Sequence, residues 1–262
     1  MTVRVLCCLF VIGIGISDLV EASESISPGF VNHGRDVTHN EPVDVTVYPW
    51  SAIGKLFNEA GGACTAVAIE HSKVVTAAHC IFSERTQRYI APSSLHFMLG
   101  YERGSTVHHA RVAYYDIGIG YDPHRWGQTL GHDWVILTLT EKLPSGIQPL
   151  KLRQRPVPAG ATATIVGYPQ DRAHMMTADR NCKISRQNGK NGLLWHTCRG
   201  APGYSGAPIL VGEGRDLAIA GIHIASVGRG DIGMLAISAH TIAPRDPTRL
   251  AETISIENTW LE

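Results

Sequence analysis

Three short stretches carry side chains of complementary chemistry: VVTAAHC with His79, GHDWVILTL with Asp133 and GYSGAP with Ser205. A serine hydroxyl is a poor nucleophile until a base takes its proton. An imidazole serves best as that base when a buried carboxylate fixes its tautomer and stabilises its cation. Histidine, aspartate and serine are thus the residue types of nucleophilic acyl transfer. Gly203 and Gly206 crowd so little side chain around Ser205 that its hydroxyl and nearby amides stay open to an approaching molecule. Taken singly, each residue has a plainer role as a core histidine, a strand-edge carboxylate or a turn serine. Taken together, the plain roles require three coincidences.

The elements that must position these residues are short. The core starts near VDVTVYPWSAIGKLF, and from there strand-sized apolar runs recur: CTAVAI, KVVTAAHC, LHFMLG, ARVAYYDIGIG, WVILTLT, ATATIVGYP, LLWHTC, APILVG, LAIAGIHIASVG and GMLAISAH. They are rich in Val, Ile, Thr and aromatic residues, and Gly, Pro, Asn and Asp punctuate them, which is the pattern of an all-β barrel or sandwich. The exception is the tail, where Asp246 and Pro247 suit a helix start and TRLAETISIENTWLE has a helical apolar period. The Pro- and Gly-rich segment 143–160 marks the junction between two halves.

Composition narrows the partners. The 262 residues are 44% hydrophobic and 18% charged, a globular balance, and 23 basic side chains match 23 acidic ones. No net field therefore favours nucleic acid or an acidic membrane surface. Residues 1–22 read as a secretory leader, with Arg4, an apolar stretch from Val5 to Ile16 too short to span a bilayer, and a small-residue exit at Ala22. Residues 23–42 form a polar lead-in or short propeptide. Leader removal takes Cys7 and Cys8 and leaves Cys64, Cys80, Cys182 and Cys198, an even set in a chain bound for an oxidising compartment, secreted or periplasmic. Four cysteines allow three pairings; joining 64 to 80 and 182 to 198 would close two short loops. Their spacings do not suit zinc, and the adjacent His108 and His109 lack an obvious third ligand, so no metal is expected.

The order His, Asp, Ser separates this chain from the α/β-hydrolases and from the subtilisin arrangement. From YPWSAIGKL onward it resembles the chymotrypsin-like serine proteases. That resemblance implies two antiparallel six-stranded β-barrels, over 43–150 and 151–262, with the site in the cleft between them and the terminal helix closing the chain. It implies a Cys64–Cys80 disulfide, Ser205 as nucleophile, His79 as general base and then acid, and Asp133 as the orienting carboxylate. It also implies an oxyanion hole from the amides of Gly203 and Ser205, where loss of one donor costs about 2.7–4 kcal/mol of barrier.

GYPQDR at 167–172 and GIHIAS at 221–226 resemble the bacterial branch that includes the glutamyl endopeptidases. There, a histidine at the matching Gly-Ile-His position helps bind an acidic side chain, a role that carries to His223. Arg199 falls where the family places the pocket floor, and a cation there also suits Glu or Asp. This chain departs from that branch in having Gly200 in place of a small hydroxyl residue. Ile224, Ala225 and Ser226 would offer backbone to an extended peptide adding as a strand. The expectation is a monomeric secreted endopeptidase acting on peptides or proteins through an acyl-enzyme, without a cofactor. A catalytically silent binding module on the same fold is the alternative. A serine esterase on another fold is disfavoured by the order of the three residues.

Overall fold

The computed structural model describes residues 40–188, 191–226 and 233–243. The leader, most of the polar lead-in and the terminal helix expected from Asp246 lie outside the described residues. Within them the regular structure is mainly antiparallel sheet. After a short β1 (Glu41–Pro42) come β2 (Ile53–Asn58), β3 (Ala63–Glu70), β4 (Lys73–Thr76) and a small hairpin of β5 (Phe82–Ser83) and β6 (Arg88–Tyr89). β7 (Leu95–Leu99), β8 (His108–Ile117) and β9 (Val135–Leu139) follow, and β2-β3-β4-β9-β8-β7 close a barrel.

The second half runs through β10 (Thr162–Gly167), β11 (Thr177–Asn188), β12 (Leu193–His196), β13 (Pro208–Val211), β14 (Ala218–Ser226) and β15 (Met234–Ser238). Their order is β11-β10-β13-β14-β15-β12, and pairing of β11 with β12 closes this second ring, with β1 added outside β11. Two six-stranded barrels therefore stand where the sequence pattern called for an all-β fold. The connection from 140 to 161 carries a parallel bridge from Leu152 to Ile219, which ties it to the second barrel.

Alternation explains the faces. In β7, Leu95, Phe97 and Leu99 are buried while His96 and Met98 between them are less so, the period-two signature of a strand with one covered face. The interior of the second barrel gathers Ile165, Ile184, Leu194, Ile209 and Ala220. Val166, Leu210, Ile222, Ile224 and Leu235, from the same strands, join the apolar cluster that fills the first barrel. The second barrel thus uses both faces of its strands, and apolar burial contributes to the seam between the barrels, beside the Lys55 Nζ bond to the Ala173 carbonyl at 2.8 Å.

Two disulfides link Cys64 to Cys80 and Cys182 to Cys198. The first staples β3 to the turn that carries His79. The second ties β11 to the segment leading to Ser205. The one α-helix among the described residues is short, α1 (Trp126–Thr129), and it stands just before Asp133.

Candidate active site

His79 sits in a 3-10 turn, Ala78–Ile81, at the end of β4, and Asp133 follows a second such turn, Leu130–His132, at the start of β9. β4 and β9 are neighbours in register, with Thr76 opposite Val135, so both turns emerge at the same end of the barrel. The His79 Nδ1 lies 2.7 Å from Asp133 Oδ2, and the His79 backbone N–H donates to Asp133 Oδ1 at 2.9 Å. Trp126 Nε1–H donates to the same Oδ2 at 2.6 Å. Asp133 is 0% exposed, and such a burial is tolerable for a carboxylate only because three donors converge on it.

Ser205 is half-buried in the loop between β12 and β13. The backbone around it is hydrogen-bonded on both sides. The Thr65 N–H on β3 donates to the Ser205 carbonyl at 2.9 Å, and the Gly206 N–H donates to the His223 carbonyl at 2.8 Å. Below the loop, the buried Tyr204 hydroxyl exchanges a hydrogen bond with Thr177 Oγ1 at 2.6 Å, and burial pushes that phenol upward out of the titrating range. Glycine is required on either side. Gly206 has φ +81, and a Cβ there would meet Thr76 Oγ1 at 2.0 Å and the Thr65 carbonyl at 2.1 Å. Gly203 has φ +95, and its Cβ would meet the Tyr168 carbonyl at 2.3 Å. Among the described residues, nothing bonds the Gly203 or Ser205 amide. The first barrel thus brings His79 and Asp133 together, while the loop bearing Ser205 is docked on its β3 and β4.

The residues expected around a specificity pocket are distributed unevenly. His223 is 4% exposed on β14, and its Nδ1 lies 3.2 Å from Nε2 of His196 on β12, itself 0% exposed. Burial drives both imidazoles toward the neutral form, His196 well below the ordinary histidine range and His223 down to about 3, with His79 adding to the latter. A Cβ on Gly200 would lie 2.8 Å from His223 Nε2, so the missing side chain leaves room beside that nitrogen. Arg199 is exposed, and its backbone N–H donates to Asp179 Oδ2 at 2.9 Å. Ile224 and Ala225 are buried and Ser226 half-buried, with Ser226 Oγ 3.0 Å from Met234 Sδ. Pairing of β14 with β13 stops at Ile222 and Pro208; beyond His223 that edge has no strand partner among the described residues.

Trp126, Thr65 and His196 were not singled out by the sequence. Trp126 lies seven residues before Asp133, and an indole close to a buried carboxylate is the one signal that was available. No group of His, Cys, Asp and Glu suited to a metal ion occurs among the described residues.

Residues 64–219 match the sequence profile of the trypsin-like peptidase domain. A solved structure described as a Glu endopeptidase in complex with MPD superposes with a TM-score of 0.65, covering 84% of this chain and 97% of that one at 19% sequence identity. That likeness is one of fold. No curated protein matches the chain.

Proposed function

The chain belongs to the trypsin-like peptidase family, and on that footing we propose that it is a secreted serine endopeptidase working through His79, Asp133 and Ser205. The observation that carries the reading is the 2.7 Å contact of His79 Nδ1 with a fully buried Asp133, at the barrel end onto which the Ser205 loop is docked. In the first step Ser205 Oγ attacks the peptide carbonyl carbon and its proton passes to His79 Nε2. The imidazolium is stabilised by the Asp133 carboxylate. The oxyanion accepts from the Gly203 and Ser205 amides, which are unbonded within the described protein. Collapse breaks the C–N bond, His79 returns the proton to the leaving amine, and the acyl group remains on Ser205. Water then repeats the sequence, with His79 as base, and releases the acid.

The preference we assign is for an acidic side chain before the cut bond, read by His223. One of the two buried histidines must donate in the bond between them. Among the described residues, His196 Nδ1 is buried without a partner. An orphaned acceptor is cheaper than an orphaned N–H, so His196 carries its proton on Nε2 and gives it to His223 Nδ1. His223 then bears its own proton on Nε2, beside the space left by Gly200, where it can donate to a carboxylate. The open edge of β14 past His223 supports an extended peptide adding there as a strand. The leader at 1–22 and the two disulfides support secretion.

A fluorophosphonate probe tests the nucleophile. Stoichiometric labelling of the mature protein, lost in Ser205→Ala, is the expected result. Equal labelling of both would refute the assignment.

A further inference from the structure

Two of the three donors on the Asp133 carboxylate belong to His79, the residue that the carboxylate has to orient. The His79 backbone N–H ties Oδ1 to the main chain of the turn, whereas Oδ2, the oxygen that meets the imidazole, needs a second donor to fix it. The third donor, Trp126 Nε1–H, comes from a separate element. We propose that Trp126 is the positioning residue of the site, fixing the Asp133 carboxylate so that His79 is held in line with Ser205.

The chemistry of the indole suits the task. Its N–H donates only, so it cannot take the proton that His79 must handle, and it has no rotor to turn away as a hydroxyl does. The same side chain acts twice, because its ring stands at 90° to the His79 ring with centroids 6.3 Å apart. Trp126 is itself held. It is 7% exposed, and the turn before it is capped by Asp122, which accepts the His124 N–H at 2.9 Å and pairs with Arg125 at 2.8 Å. Thr129 Oγ1 closes the unit by donating to the Asp122 carbonyl at 3.0 Å.

Of the groups facing this pair, Asp122 is paired with Arg125, while the Tyr121, Tyr89 and His223 side chains are neutral over the pH range of an assay. Tyr121 and Tyr89 both feel the Asp133 charge, and burial pushes each phenol upward. His223, which feels His79, is driven to about 3 by burial.

The inference rests on the triad proposed above, and the test separates the two. Trp126 is replaced by Phe and, in a second variant, by β-(3-benzothienyl)alanine, which puts sulfur in place of N–H at nearly constant shape. With a peptide that the wild type cleaves, kcat should fall about tenfold in both variants while KM stays within about twofold, the scale of one hydrogen bond to a charged group. The acid limb of kcat/KM should also move to higher pH, because a carboxylate that has lost a donor holds an imidazolium more tightly. A benzothienyl variant with wild-type kcat and an unmoved limb would overturn the role of Trp126, whatever the Phe variant does. Wild-type protein that a fluorophosphonate fails to label would overturn the triad, and this inference with it.

Discussion

The Thr65 hydroxyl, on β3 of the first barrel, donates to the Gly203 carbonyl of the second at 3.0 Å, and the same oxygen accepts the Tyr168 N–H at 3.0 Å. One side chain therefore satisfies two backbone groups across the seam. It also sits beneath the loop that presents Ser205. Replacing it with valine keeps the shape and leaves a buried donor and a carbonyl unpaired. Thr65→Val should lower the free energy of unfolding by about 1–3 kcal/mol in urea titration and slow fluorophosphonate labelling of Ser205. An unchanged midpoint with an unchanged labelling rate would show that the cross-barrel bonds do not hold the loop.

The buried histidine pair makes stability depend on acid. In the unfolded chain both imidazoles protonate near their ordinary value of 6.5, whereas burial keeps them neutral in the folded protein, His223 down to about 3. Between those limits the unfolded state binds more protons. Stability is thus fully present above 6.5 and is lost as the pH falls toward 3, at about 1.4 kcal/mol per pH unit for each histidine. His196→Gln should flatten the dependence of unfolding free energy on pH between 6 and 4 relative to the wild type. Parallel curves for the two proteins would contradict this.

Gly200 is predicted to be a specificity position through its absent side chain. A Cβ there would press on His223 Nε2 at 2.8 Å and on Met234 Sδ at 3.3 Å, and the imidazole cannot retreat while its Nδ1 is bonded to His196. Gly200→Ala should reduce kcat/KM for peptides with Glu before the cut bond about tenfold more than for matched peptides with Leu, the scale of one displaced hydrogen bond. His223→Ala should do the same. Equal losses on both peptides would remove His223 from the pocket.

The sequence was most legible where chemistry and local pattern coincide. His79 stands in a run that ends a strand, Asp133 at the head of one, and Ser205 between glycines, and the fold joins those strand ends. The apolar runs located the barrel strands after β2, which lies in the stretch that opens the core, except β11, whose TADRNCKISRQN alternates only weakly because several inward positions are Thr, Asp and Cys. Thr65 was hidden for another reason. It is 138 residues from Gly203, and only closure and docking of the barrels bring them together. His196 and His223 lie on β12 and β14, which never pair directly; β15 runs between them, and curvature of the barrel makes their rings meet. Arg199 shows the limit of a position counted along the chain. Counting six residues before the serine assigns it to a pocket floor, whereas the structure shows an exposed side chain next to the Cys198 link, with its amide bonded to Asp179.

The central claim is that peptide bonds are cut by the Ser205 hydroxyl, and mapping of cut bonds in a mixed peptide library by mass spectrometry tests it most directly. The wild-type protein is run beside Ser205→Ala, each with the residues before Asn40 both intact and trimmed. The account predicts cuts that depend on Ser205 and cluster after Glu and Asp. Cuts that persist undiminished in Ser205→Ala, or none from the trimmed wild type, would contradict it.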